Sequence, residues 1–149
     1  MKVGIIVYSQ SGHTAAFART IADRLRDTGI EYDIELLRPH GIPKPWTGKI
    51  DFRRTPELGE YDIVMIGAPV WAFNASKVIL KYLNSIKPIK GKKALPFVTY
   101  GLPAKSLGAN RALKRMTTEL EELGADVLEG ESQYFFLFKT NKNKMNEAA

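Results

Sequence analysis

In Val3-Gly4-Ile5-Ile6-Val7-Tyr8-Ser9-Gln10-Ser11-Gly12-His13-Thr14, an apolar run ends in a cluster of hydroxyl, amide and glycine residues. A helical pattern begins at once in Ala15-Ala16-Phe17-Ala18-Arg19-Thr20-Ile21-Ala22-Asp23-Arg24-Leu25. A buried strand that feeds straight into a helix leaves free backbone N–H groups at the helix start, where the helix dipole is positive. Such an end is a seat for an anion such as phosphate. Ser9, Ser11 and Thr14 add hydroxyl donors, and Gly12 lets the backbone come close. No Lys, Arg, Asp or Glu stands between Ser9 and Thr14, so the loop is built to hold phosphate with neutral donors.

The same alternation continues along the chain. Residues 2–8 read as a buried strand and 14–28 as a helix, stopped by Gly29. Residues 32–37, 62–68 and 94–100 read as further strands, with Ile34 and Leu36 sharing one face of the first of these. Residues 76–86 read as a helix N-capped by Ser76, and 108–123 as a helix ended by Gly124. A fifth strand falls within 127–138, interrupted near Gly130. Continuous apolar strands separated by helices imply an α/β fold, a doubly wound parallel sheet covered on both faces. Ligands of such sheets bind beyond the strand C-termini, near the point where strand order reverses. The loops after the first, third and fourth strands are therefore the ones of interest.

At 149 residues the chain reads as one domain, with 44% hydrophobic residues and no apolar run near the roughly 18–20 residues of a membrane span. Met1-Lys2-Val3 enters the first strand directly, which does not read as a signal peptide. With no cysteine there is no disulfide, thiolate metal site or cysteine nucleophile, and the composition suits a cytoplasmic setting. Two histidines, His13 and His40, exclude a multi-histidine metal site within one chain, and no metal ligand set is expected. The net charge of +6 suggests nucleic acid, anionic membranes or acidic proteins as partners. The basic residues are scattered, with small clusters at 87–93 and 139–144, and no RNA-binding signature or zinc-finger spacing accompanies them. Specific nucleic-acid binding is not expected.

Two segments stand apart. Residues 38–60 form a long connection carrying Pro39, Pro43, Pro45, Pro56 and Trp46, readable as a lid, a partner surface or an excursion with a short helix. After the fifth strand, residues 141–149 are too short for a covering helix, so the tail from 139 on is expected to fray or the last helix to be short or missing.

The loop after the third strand is Ala68-Pro69-Val70-Trp71-Ala72-Phe73-Asn74-Ala75-Ser76. Its two large aromatics could stack on a planar ring system, or they could cap the sheet edge and cover the core. The loop after the fourth strand contains Thr99-Tyr100-Gly101-Leu102-Pro103, with one more aromatic face and a glycine that permits close approach. A phosphate-type loop and two aromatic or glycine loops at one end of the sheet suit a phosphorylated planar heterocycle. Rossmann and P-loop glycine patterns, a receiver domain's strand-end acids and a Gly-x-Ser-x-Gly elbow are all absent.

Tyr8-Ser9-Gln10-Ser11-Gly12-His13-Thr14, Tyr61-Asp62-Ile63-Val64-Met65-Ile66-Gly67-Ala68-Pro69-Val70-Trp71 and Thr99-Tyr100-Gly101 together resemble the flavodoxin-like flavoproteins over nearly the whole chain. The resemblance implies FMN as cofactor and a five-stranded sheet in the order 2-1-3-4-5. It assigns Ser9, Gln10, Ser11, Gly12, His13 and Thr14 to the FMN phosphate. It assigns Pro69, Val70, Trp71, Ala72, Phe73 and Asn74, with Tyr100, Gly101 and Leu102, to the surroundings of the isoalloxazine ring. No residue is assigned a catalytic role.

The chain also departs from that family. His13 stands where many electron-transfer flavodoxins carry Asn, and a Gly-His-Thr ending also resembles flavodoxin-like quinone and FMN reductases. No glycine lies between Pro69 and Ser76, where many flavodoxins flip a glycine peptide; Asn74 is the residue there best suited to a left-handed conformation. The basic charge differs from the usual acidic flavodoxins. The expected function is an electron carrier that docks to redox partner proteins. An NAD(P)H-dependent quinone or flavin reductase is the alternative, and a non-redox binding module a further one.

Overall fold

The computed structural model describes residues 1–44, 47–71, 73–101 and 108–134. Strand β1, Lys2–Val7, lies between β2, Glu31–Leu36, and β3, Ile63–Trp71, parallel to both. Its residues alternate between two cores, as a pleated strand buried on both faces must. Val3, Ile5 and Val7 pack with Phe17, Ala18 and Ala22 of helix α1, His13–Asp27. Ile6 faces the opposite side, where α2, Lys77–Ser85, and α3, Ala109–Glu122, bury Val78, Ile79, Tyr82, Leu83, Met116 and Leu120. Strand β5, Lys93–Tyr100, follows β3 in the sheet, and its Phe97 packs edge-on to Phe17. The sheet runs β2-β1-β3-β5 and ends in β6, Asp126–Val127, and β7, Glu131–Tyr134, both parallel to β5. With these two pieces taken as one outer strand, this is the expected 2-1-3-4-5 order.

Three local features refine the expectation. Strand β3 outruns residue 68 because its end folds back on β4, Asn74–Ala75, pairing Val70 with Ala75 and Trp71 with Asn74. The break in the outer strand has its cause in the neighbouring strand. The Leu128 N–H donates to the Ala94 carbonyl at 2.7 Å. In a parallel ladder the next bond would run from the N–H of residue 96 to the Leu128 carbonyl. Residue 96 is proline and has no N–H. Pairing lapses there and resumes at Phe97 and Glu131. At the centre of the sheet, Gly67 lets Phe97 and Val7 close over β3, for a methyl at this position would collide with both.

The 38–60 connection has no helix among its described residues. It is held by a single bridge between Pro39 and Phe52, by burial of Ile50, Pro56 and Leu58, and by contacts to α2. Phe52 packs edge-on against Tyr82, and the Tyr82 hydroxyl donates to the Pro56 carbonyl at 2.8 Å. At the N-terminal edge of the sheet, Lys2 Nζ lies 3.1 Å from Asp33 and 3.3 Å from Glu60, and the Tyr61 hydroxyl donates to Asp33 at 3.0 Å. The expected tail from 139 on, and the fifth strand beyond residue 134, lie outside the described residues. No helix among those described is long and apolar enough to cross a membrane.

Candidate functional site

Beyond the C-terminal end of β1 the chain turns sharply. The Gly12 N–H donates to Ser9 Oγ at 3.2 Å, which folds Ser9, Gln10, Ser11 and Gly12 into a tight loop. Gly12 sits at φ 92°, where only glycine is unstrained, and its carbonyl accepts the first helical bond of α1 from Ala16 at 2.9 Å. The start of α1 receives no side-chain cap and has no acidic residue in its first turn. Helix α2 starts differently: Ser76 Oγ accepts from the Ile79 N–H at 3.4 Å. The positive dipole end of α1, without a side-chain cap, is a seat that an anion fits. Gln10, Ser11 and Gly12 are exposed, while Ser9 and His13 are half-buried.

Thr14 is placed otherwise than its sequence neighbours. It is buried, and its hydroxyl meets that of Thr99 at 2.8 Å, tying the first turn of α1 to β5. A hydroxyl carries one hydrogen and two lone pairs, so with Thr99 as donor the Thr14 proton stays available to a second acceptor. Thr99 was not legible as a site residue: it stands 85 positions from Thr14, and only the sheet register brings the two together.

The loop after β3 is a narrow hairpin, closed at its base by the Ser76 N–H donating to the Pro69 carbonyl at 3.0 Å. Pro69 is buried, and Val70 and Trp71 are half-buried. The Trp71 ring stands edge-on to Tyr8, centroids 5.6 Å apart at 89°. Trp71 thus packs on the core at the sheet edge, as the second of the two readings of this loop expects. Phe73 at the tip is 53% exposed and adopts φ 64°. Among the described residues of this loop the left-handed one is Phe73 and not Asn74, whose side chain instead accepts from the Ala75 N–H at 2.9 Å. Pairing of Trp71 with Asn74 places residue 73 in the turn, so hairpin geometry overrides local preference.

Tyr100 is buried at the end of β5 with its ring 5.4 Å from that of Tyr134, and Gly101 beyond it is exposed. Burial, and secondarily Tyr134, push the Tyr100 hydroxyl up from its ordinary value; burial alone does so for Tyr8. Both phenols stay neutral near pH 7. Gly108 opens α3 and abuts the hairpin so closely that a side chain there would strike Val70 Cγ1 at 2.7 Å and the Phe73 backbone at 2.8 Å. The aromatic loop and the start of α3 are thereby packed as one wall. Ala72 and Leu102, also expected in this wall, lie outside the described residues.

One further feature escaped the sequence. An open concavity of about 380 Å³ adjoins Ser9 and Gln10, and the 38–60 connection lines it with Arg38, Ile42 and Arg53. A second cavity of about 360 Å³, between residues 55–59 and 85–92, lies toward the opposite end of the sheet.

The sequence model of the flavodoxin family matches residues 48–134. That span includes the aromatic hairpin and the end of β5 but not the 9–14 loop, which rests on its own geometry. Among solved structures, flavodoxin 1 of Bacillus cereus is 24% identical, with a TM-score of 0.69 over 99% of this chain and 93% of that one. A Streptococcus pneumoniae flavodoxin is 14% identical, with a TM-score of 0.70 over 99% and 94%. Rubredoxin oxygen:oxidoreductase of Desulfovibrio gigas is 15% identical, with a TM-score of 0.68; the match covers 99% of this chain and 34% of that longer one. At these identities the structures show the fold that the chain shares.

Proposed function

Since the chain belongs to the flavodoxin family, we propose that it binds FMN at the C-terminal edge of its sheet and serves as an electron carrier between proteins. The observation that carries this reading is the start of α1, which no side chain caps, standing beside a wall of aromatic residues. Bound FMN supplies the redox chemistry, taking up and giving back electrons through its isoalloxazine ring; the protein supplies binding, orientation and access. Ser9, Gln10, Ser11, Gly12, His13 and Thr14 are the residues that would hold the phosphate, through backbone N–H groups and hydroxyls at the positive end of α1. Trp71 and Phe73 on one loop, and Tyr100 with Gly101 on the other, would flank the ring and keep water from it. Tyr8 backs Trp71, and Gly108 holds the hairpin against α3, so the wall is preformed.

The second reading, a reductase fed by a nicotinamide nucleotide, draws on the concavity lined by Arg38 and Arg53 next to the phosphate loop. One experiment separates the two. The purified protein is titrated with FMN, its visible spectrum is recorded, and the holoprotein is photoreduced without oxygen or mixed with NADPH. A carrier takes up one FMN, is reduced in two resolved one-electron steps, and is not bleached by NADPH without a separate reductase. Rapid bleaching with turnover on quinones makes it a reductase. Failure to take up FMN defeats both readings and leaves a binding module.

A further inference from the structure

At the N-terminal edge Glu31, Asp33 and Glu60 pair with Lys2, and Asp126 pairs with Lys93. Beside the candidate site the cations are not so paired. Arg38 and Arg53 line the concavity next to Ser9 and Gln10. Lys49, Lys77 and Lys81 line a neighbouring open hollow of about 200 Å³, where residues 47–51 meet the first turns of α2. None of these five has an ion-pair partner among the described residues, and Asp51 is the one carboxylate in either lining. Two apolar side chains stand out of the same edge, Ile42 at 75% exposure and Phe73 at 53%.

We infer that this edge is the docking face for an acidic electron-transfer protein; the inference rests on the carrier reading and gives its partner a chemistry. Exposed apolar residues within a charged border have the make-up of a protein–protein interface. A small-molecule site is instead concave and enclosing, and buries most of its ligand. Here the cations are spread along two open hollows, one of them lined also by the protruding Ile42, which suits a broad acidic surface better than a single dinucleotide. Unpaired surface cations raise the rate of encounter with an acidic partner and align it over the site, and salt weakens them. The partner's redox centre would thereby be brought to the edge where Phe73 is exposed.

The probe is a plant-type [2Fe–2S] ferredoxin, an acidic one-electron carrier, with mitochondrial cytochrome c as its basic counterpart. Binding is measured calorimetrically on FMN-loaded and FMN-free protein. Wild-type affinity for ferredoxin is expected to fall at least ~10-fold between about 20 mM and about 300 mM salt. The exposed-residue variant Arg38→Glu/Lys81→Glu should lose at least ~10-fold at low salt. The variant Arg26→Glu/Lys90→Glu, with the same net charge and both exposed changes toward the opposite edge, should lose less than ~3-fold. Equal losses in the two variants would mean that net charge alone acts, and would overturn the docking face. So would cytochrome c binding as tightly as ferredoxin, or micromolar NADPH binding that the first variant abolishes while ferredoxin binding stands. Circular dichroism verifies the fold of each variant. FMN uptake is scored separately by absorbance, so a failure of the cofactor reading shows there, and the charge-directed binding is still read on the FMN-free protein.

Discussion

Replacing Thr99 by valine would strand a hydroxyl in the interface between α1 and the sheet. Thr14 and Thr99 are 1% and 0% exposed, and their hydroxyls meet at 2.8 Å. Valine keeps the shape of threonine but cannot bond, and water cannot reach the partner left behind. A net hydrogen bond contributes about 0.5–1.5 kcal/mol, whereas an unsatisfied buried hydroxyl costs about 1–3 kcal/mol. Thr99→Val and Thr14→Val should each lower stability by about 1–2 kcal/mol. The double variant removes both partners and should return to within ~0.5 kcal/mol of wild type. The assay is urea unfolding of the FMN-free protein, followed by circular dichroism, with the four proteins forming a double-mutant cycle. FMN titration of Thr99→Val adds a second readout. This change leaves every group of the 9–14 loop in place, so affinity should alter by less than ~3-fold. Strictly additive stability losses in the cycle would refute the pairing. A large loss of FMN affinity in Thr99→Val would show that the pair positions the phosphate seat as well as stabilising the fold.

Ser11, exposed beside the open start of α1, should matter to FMN directly: Ser11→Ala removes a donor to a charged group, about 1.5–3 kcal/mol or at least ~10-fold in affinity, while riboflavin binding is unchanged. Gly67→Ala places a methyl against the Phe97 ring and 2.5 Å from Val7 Cγ1, and should lower the urea midpoint by the equivalent of about 1–3 kcal/mol; an unaltered midpoint would mean the core yields freely. Phe73→Gly relieves a left-handed phenylalanine that is largely exposed, and should raise stability by up to ~1 kcal/mol after glycine's entropy is subtracted; a drop would show that the ring packs. The hydrogen bond from Lys2, and then that from Tyr61, hold the Asp33 carboxyl below its ordinary value. A carboxylate with a depressed folded pKa contributes stability above its unfolded pKa, about 3.9, and loses it as pH falls through the folded value. Asp33→Asn should therefore be less stable than wild type at neutral pH, with the gap closing in acid; a gap constant across unfolding curves at several pH values would exclude the linkage.

Legibility varied with how local the determining physics is. The β1–loop–α1 unit was readable because an apolar run, a glycine and a 3.6-residue pattern follow one another within the first 27 residues. Both helix stops at Gly29 and Gly124 were readable for the same reason, and each has the expected positive φ. The end of β3 was not, since its extension depends on pairing with Asn74 and Ala75. Phe73 as the left-handed residue also escaped, because turn geometry selected the position and propensity favoured its neighbour. The 38–60 connection shows no periodicity because it is fixed by contacts to α2, such as Phe52 on Tyr82, and not by a pattern of its own. Thr99 and the two arginines beside Ser9 come from distant parts of the chain, and only the folded topology assembles them.

Pro96 has an effect that reaches past its own strand. The margin of a sheet presents a row of unanswered N–H and C=O groups to any other chain, a standing invitation to add another strand and aggregate. By depriving Leu128 of a donor, Pro96 breaks the outer strand between Val127 and Glu131, so that its pairing with β5 is not continuous. At the opposite margin, β2 carries Glu31, Asp33 and Glu35, ion-paired with Lys2 and Arg54, and charged side chains along an edge strand oppose the addition of another. Among the described residues one margin is thus broken and the other charged, and both features oppose the addition of a strand.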